Sequence, residues 1–214
     1  MADPASSIDP LMLADQGPVI PVIVIADLEA AVPLARALVE GGVRVLEVTL
    51  RTPVALQAIA AIARAVPDAI VGAGTVRSAV DVQAALDAGS RFAVSPGYTE
   101  AIGAACAQGG LALLPGVATA SEVLRATAGG YRFLKFFPAG AAGGVPMLKA
   151  LAGPFGDVVF CPTGGIDATT AREYLALPNV RVVGGSWLTP PDAVAARDWG
   201  RITQLAKAAS ALRS

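Results

Sequence analysis

The chain has 214 residues, 54% of them apolar, and a formal net charge of −1. That length fits one domain or a small pair, and a near-neutral chain without a basic block lacks the footprint of a nucleic-acid binder. Histidine is absent, which excludes a Ser-His-Asp triad, an HExxH zinc site and any imidazole acid–base group.

Residues 5–16 read as a short extra helix at the N-terminus. VIPVIVI (19–25) reads as the first strand, and LEAAVPLARALVEGG (28–42) as a helix closed by two glycines. VRVLEVTL (43–50) is the second strand, followed by a helix over PVALQAIAAIARAV (53–66) with proline in its first turn. AIVGAGT (69–75), FAVSPG (92–97) and ALLPGV (112–117) are the next three strands. TASEVLRATAGG (119–130) is a helix with Thr119 and Ser121 as capping candidates. FLKFFP (133–138), VVFCPTGG (158–165) and VRVVGGS (180–186) complete eight strands, their starts 20 to 26 residues apart. That interval is what one strand–helix unit with short loops occupies. The prediction is an α/β chain folded as a single (β/α)8 TIM barrel over residues 1–214, with the short N-terminal helix across its bottom. An open doubly wound sheet is the alternative. It is opposed by the count of eight and by the lack of GxGxxG after the first strand.

No apolar run approaches the ~18 residues that span a bilayer. The segment MADPASSIDPLML carries acids rather than a basic leader, so no signal peptide is expected. Cys106 and Cys161 are too few for a disulfide scaffold, and two cysteines alone make a poor zinc site. A cytoplasmic protein without membrane or metal is expected.

Alternation along the strands then picks out charged residues. In FLKFFP, Phe133, Lys135 and Phe137 share one face, while Leu134 and Phe136 share the other. In VRVLEVTLR, Val45, Glu47, Thr49 and Arg51 share a face opposite Leu46, Val48 and Leu50. The apolar sets should meet the surrounding helices. Lys135 and Glu47 should therefore point into one enclosed space, with Thr75 at its edge. Two roles stay open for Lys135, one of only three lysines. It pairs with Glu47 or snorkels to the rim, or it is a nucleophile. A free lysine holds its proton up to pH ~10.4, dry aromatic surroundings disfavour the ammonium, and a neutral amine attacks a carbonyl to form a Schiff base. Glu47 is either its salt-bridge partner or a general acid–base. Arg51, about 13 Å further along an extended strand, is either a solvated loop charge or a fork for a substrate carboxylate. The glycine pairs in CPTGG and VGGSW, with Thr163 and Ser186, place backbone N–H groups where barrels of this kind hold phosphate.

GGVRVLEVTLRT (41–52), IVGAGTV (70–76), FAVSPG (92–97), FLKFFPA (133–139), LAGPF (151–155), CPTGGI (161–166) and GGSWL (184–188) together resemble the 2-keto-3-deoxy-6-phosphogluconate (KDPG) and 4-hydroxy-2-oxoglutarate (KHG) aldolases. These are class I, Schiff-base enzymes. The likeness runs over about residues 17–205. It implies a homotrimer that uses no metal or cofactor and acts on a phosphorylated keto acid in the Entner–Doudoroff route. KDPG would be split into pyruvate and glyceraldehyde 3-phosphate, with KHG as a side substrate. It also implies that Lys135 attacks the ketone and Glu47 moves protons. Arg51 and Thr75 would hold the pyruvate carboxylate, Pro96 would wall the pocket, and Thr163, Gly164, Gly165, Gly185 and Ser186 would surround the phosphate. Gly140 stands where relatives often carry an acid, and Pro53 sits at a variable position. The rival activities are the same chemistry on the phosphogalactonate epimer and a non-covalent epimerase or isomerase on a phosphate-binding barrel.

Overall fold

The structure, a computed structural model, describes residues 10–213. Strands and helices alternate through it. Helix α1 (Pro10–Ala14) leads into β1 (Val19–Ile23), α2 (Ala31–Glu40), β2 (Val45–Thr49), α3 (Ala55–Ala65) and β3 (Ile70–Gly74). Next come α4 (Ala79–Asp87), β4 (Phe92–Val94), α5 (Glu100–Gly109), β5 (Ala112–Leu114), β6 (Gly116–Val117), α6 (Ala120–Ala128) and β7 (Phe133–Phe136). The chain ends with α7 (Gly144–Ala152), β8 (Val159–Pro162), α8 (Ala171–Leu175), β9 (Val183–Gly185), α9 (Pro191–Ala195) and α10 (Trp199–Ser210).

The strands form two ladders, ordered β5-β4-β3-β2-β1-β9 and β6-β7-β8, and every pairing is parallel. The last strand thus lies beside the first. Bridges Phe160↔Val180 and Thr163↔Gly184 link the two ladders on that side. On the other side the chain passes from β5 to β6 through Pro115. The run 112–117, expected as one strand, is split there, because proline has no N–H for a ladder. The result is a curled parallel sheet wrapped by helices. The part of the expected N-terminal helix before Pro10 falls outside the described residues.

The alternation seen in the sequence separates two apolar layers. Leu46, Val48, Leu134 and Phe136 belong to the large layer between sheet and helices. Val45, Phe92, Val94, Leu114, Phe133 and Cys161 form a second cluster on the inner face, reached by Leu13 and Ala14 of α1. Helix α3 buries Ala55, Ala58, Ile59 and Ile62, the i, i+3, i+4, i+7 stripe that faces a sheet. Each such Ile or Leu contributes about 1.5–3 kcal/mol on burial. Helix starts follow local chemistry. Thr119 and Glu122 make a reciprocal capping box at α6, and Thr99 caps α5 through Ile102 N–H. Ser121 lies inside α6 rather than capping it. Among the described residues no helix is long and apolar enough to cross a membrane.

Candidate active site

Lys135 and Glu47 reach each other although 88 positions separate them in sequence. The two side chains stand on β7 and β2, and both strands send them to the inner face. Lys135 Nζ donates to Glu47 Oε1 at 3.2 Å, with side chains only 6% and 3% exposed. The Phe137 ring centroid lies 5.3 Å from Nζ, close enough for its π-face to attract the ammonium. The setting is therefore not simply apolar. Burial penalises a charge on Nζ, and the carboxylate and the Phe137 π-face offset that penalty. A proton passed from Nζ to Oε1 leaves a neutral amine beside a neutral acid.

Cys161 sits beside Lys135 in the β7–β8 register. Burial pushes its thiol up to about 12, and burial lifts Cys106 to about 11. Near pH 7 both stay protonated and inert.

Arg51 and Thr75 meet just past the carboxyl ends of β2 and β3. Arg51 Nε donates to Thr75 Oγ1 at 3.2 Å, and among the described residues the guanidinium's remaining donors have no protein partner. Thr75 has φ +62°, a left-handed conformation that strains a β-branched residue. The turn holds its hydroxyl at the rim at that cost.

A cavity of about 650 Å3 opens beside these groups. Arg51, Thr163, Gly164, Gly165, Gly185 and Ser186 line it, together with Phe137. Six of the expected site residues thus share one cavity. Gly164 and Gly165 have φ of +101° and +73°, which turns their amides as only glycine does without strain. Lys135, Glu47, Thr75 and Pro96 do not line this cavity. Lys135 and Glu47 are buried, whereas Pro96 is exposed at the end of β4. Phe137 touches both regions, since its ring meets the amine and its surface faces the cavity. The outer edge carries Asp27 and Arg197, with Arg197 Nη2 2.9 Å from Glu29 Oε2 and 3.3 Å from Asp27 Oδ2. Alternation had put Phe137 on the Lys135 face, but its bridging position needs the fold. Nothing in the sequence singles out Asp27 or Arg197.

A lysine amine bonded to a carboxylate beneath a glycine-turned cavity is an arrangement suited to carbonyl chemistry through an amine adduct. The family described as KDPG and KHG aldolase matches residues 12–205. The 2-dehydro-3-deoxy-phosphogluconate aldolase of Pseudoalteromonas atlantica is 59% identical over 196 residues, which are 92% of this chain and 91% of the relative. The KHG/KDPG aldolase of Escherichia coli K12 is 55% identical over 193 residues, 90% of this chain and 91% of that one. The crystal structure of the Legionella pneumophila KDPG aldolase, with pyruvate captured as a covalent carbinolamine, superposes with a TM-score of 0.91. It shares 50% identity and covers 93% of this chain and 97% of its own. The chain belongs to the KDPG and KHG aldolase family and is a carbon–carbon lyase.

Proposed function

We propose that this chain cleaves KDPG to pyruvate and glyceraldehyde 3-phosphate through a Schiff base on Lys135. The observation that carries the reading is the 3.2 Å bond between Lys135 Nζ and Glu47 Oε1 inside the curled sheet. Glu47 takes the ammonium proton, and the free amine attacks the C2 ketone to give a carbinolamine. Glu47 returns that proton to the carbinolamine hydroxyl, which leaves as water and yields the iminium, and the carboxylate is restored. Glu47, through a water, then removes the proton of the C4 hydroxyl. The C3–C4 bond breaks, its electron pair passes to the iminium as an enamine, and C4 leaves as the aldehyde. Protonation at C3 and hydrolysis release pyruvate and restore the amine.

Arg51 and Thr75 hold the pyruvate carboxylate by a charge-assisted fork. Thr163, Gly164, Gly165, Gly185 and Ser186 hold the phosphate by amide N–H groups and hydroxyls, and Pro96 shapes the nearer wall. KHG is a side substrate that leaves the phosphate subsite empty. The framework is one domain, a complete (β/α)8 barrel whose N-terminal helix covers the bottom. The working form is a cytoplasmic homotrimer that needs no metal or cofactor.

The test is reduction by borohydride in the presence of pyruvate. Intact mass should show one adduct, and peptide mapping should place it on Lys135. An epimerase or isomerase that uses lysine only as a base gives no adduct. Steady-state comparison of KDPG with its phosphogalactonate epimer then fixes the C4 preference. A higher kcat/KM for the galactonate epimer overturns the substrate assignment and leaves the chemistry intact.

Thr75 yields a separate prediction. Thr75→Gly relieves strain of order 1–3 kcal/mol but adds roughly 0.5–1 kcal/mol of chain entropy. Thermal unfolding should show stability equal to or slightly above the parent. Loss of the hydroxyl should raise KM for the keto acid by roughly 3- to 30-fold. An unchanged KM would remove Thr75 from the carboxylate subsite.

A further inference from the structure

Glu47 is held under Lys135 by something besides its ion pair. In the β2–β3 register Glu47 stands opposite Gly72, and Thr49 opposite Gly74. The Glu47 side chain leans along the inner face towards Gly74. A Cβ added at Gly74 would overlap Glu47 Oε1 and lie 2.6 Å from its Cγ and 2.8 Å from its Cδ. Oε1 is the same atom that accepts from Lys135 Nζ. Gly74 is not among the glycines with positive φ, so its backbone would accept alanine. Only the space forbids a side chain there.

The same construction recurs at the phosphate end. A Cβ at Gly184 would overlap Thr163 Oγ1 and lie 2.9 Å from its Cγ2. In both places a functional side chain fills the volume that the neighbouring strand leaves empty.

We propose that Gly74 is a positioning residue for the lyase reaction: its missing side chain fixes where the Glu47 carboxylate stands beneath Lys135. The inference rests on Glu47 being the proton carrier. Alanine at 74 forces the carboxylate away from Nζ or drives β2 and β3 apart. A methyl placed against a rigid neighbour in a packed interior is not absorbed without movement. A displacement of about 1 Å at a reacting group is enough to reduce turnover ~10²-fold.

The experiment is a set of variants of the full chain: Gly74→Ala, Glu47→Ala, Glu47→Asp and the two doubles that combine Gly74→Ala with each Glu47 change. Gly74→Ala should lower kcat about 10²-fold and displace the pH limb of kcat that belongs to the Lys135–Glu47 pair. A general loss of structure would lower kcat equally at every pH. Aspartate is one methylene shorter, so Gly74→Ala/Glu47→Asp should turn over faster than Gly74→Ala alone. Melting temperatures give a readout that needs no activity. Gly74→Ala should lower the midpoint by roughly 2–10 °C in the parent, and by little or nothing where Glu47 is already alanine. Gly74→Ala turning over within about threefold of the parent, or an equal melting loss with and without the Glu47 side chain, would overturn the proposal. Parental kcat in Glu47→Ala would instead defeat the proton-carrier reading, while the melting cycle still judges the contact between Gly74 and Glu47.

Discussion

Replacing Lys135 by methionine is expected to reduce aldol cleavage by roughly 10⁴-fold or more and to abolish the borohydride-trapped pyruvate adduct. Methionine keeps most of the length and apolar stem of lysine but offers no amine, so the covalent route is closed. The other two lysines, Lys149 and Lys207, are exposed and far from dry, so they offer no substitute. An adduct of equal yield in Lys135→Met would place the chemistry elsewhere and sink the assignment. The same variant makes a statement about stability. It leaves Glu47, 2% exposed, with no cation. Breaking a buried pair by removing one partner costs about 3–5 kcal/mol. Replacing both partners by apolar residues of similar volume is often neutral or stabilising. Lys135→Met/Glu47→Leu should therefore melt at or above the parent, while Lys135→Met alone melts lower. Such a result would mean that the pair is kept for chemistry, at a cost in stability. A double variant no more stable than the single would assign the pair a structural role as well.

Much of this site follows from alternation along two short stretches. FLKFFP places Lys135, and VRVLEVTLR places Glu47 and Arg51, on the face opposite an apolar set, and strand geometry turns both faces inward. That information is local, so it is present in the sequence. The cores around Ile59 and Leu38 follow from helical spacing in the same way. Strand ends are less legible. The first strand closes at Ile23 rather than residue 25, where ladder pairing stops before the apolar run does, and β8 closes at Pro162 rather than residue 165, where Gly164 and Gly165 turn the chain at positive φ. Pro115 divides one apolar run between two ladders, which depends on the neighbours available on each side. The missing pieces of the site are all contacts between segments distant in sequence. Phe137 between amine and cavity, the Arg197–Asp27 pair at the outer edge and the clearance at Gly74 each depend on how distant segments come together, and no single stretch of chain encodes that. Pro96 is a different case. The motif marks it, yet its side chain is exposed at the strand end and does not reach the cavity lining.

Glu47→Gln should separate the two duties of the carboxylate. Glutamine has the same shape, and its amide oxygen still accepts a hydrogen bond from Nζ, so the geometry beneath Lys135 survives. It cannot accept or return a proton near pH 7. Loss of a positioned acid–base group lowers turnover by roughly 10²–10⁴-fold, and kcat for KDPG cleavage should fall within that range. Adduct formation with pyruvate should continue at a reduced rate. The substitution removes the counter-charge that favours the ammonium while burial still favours the neutral amine, and carbinolamine formation needs only the free amine and a ketone. Cleavage is affected more because it needs a base for the C4 hydroxyl and an acid for C3, and this pocket holds no histidine to take over. Trapping and turnover should thus fall by different factors. If they fall together, Glu47 acts chiefly by holding Lys135 in place, and the proton at C4 must leave by another route.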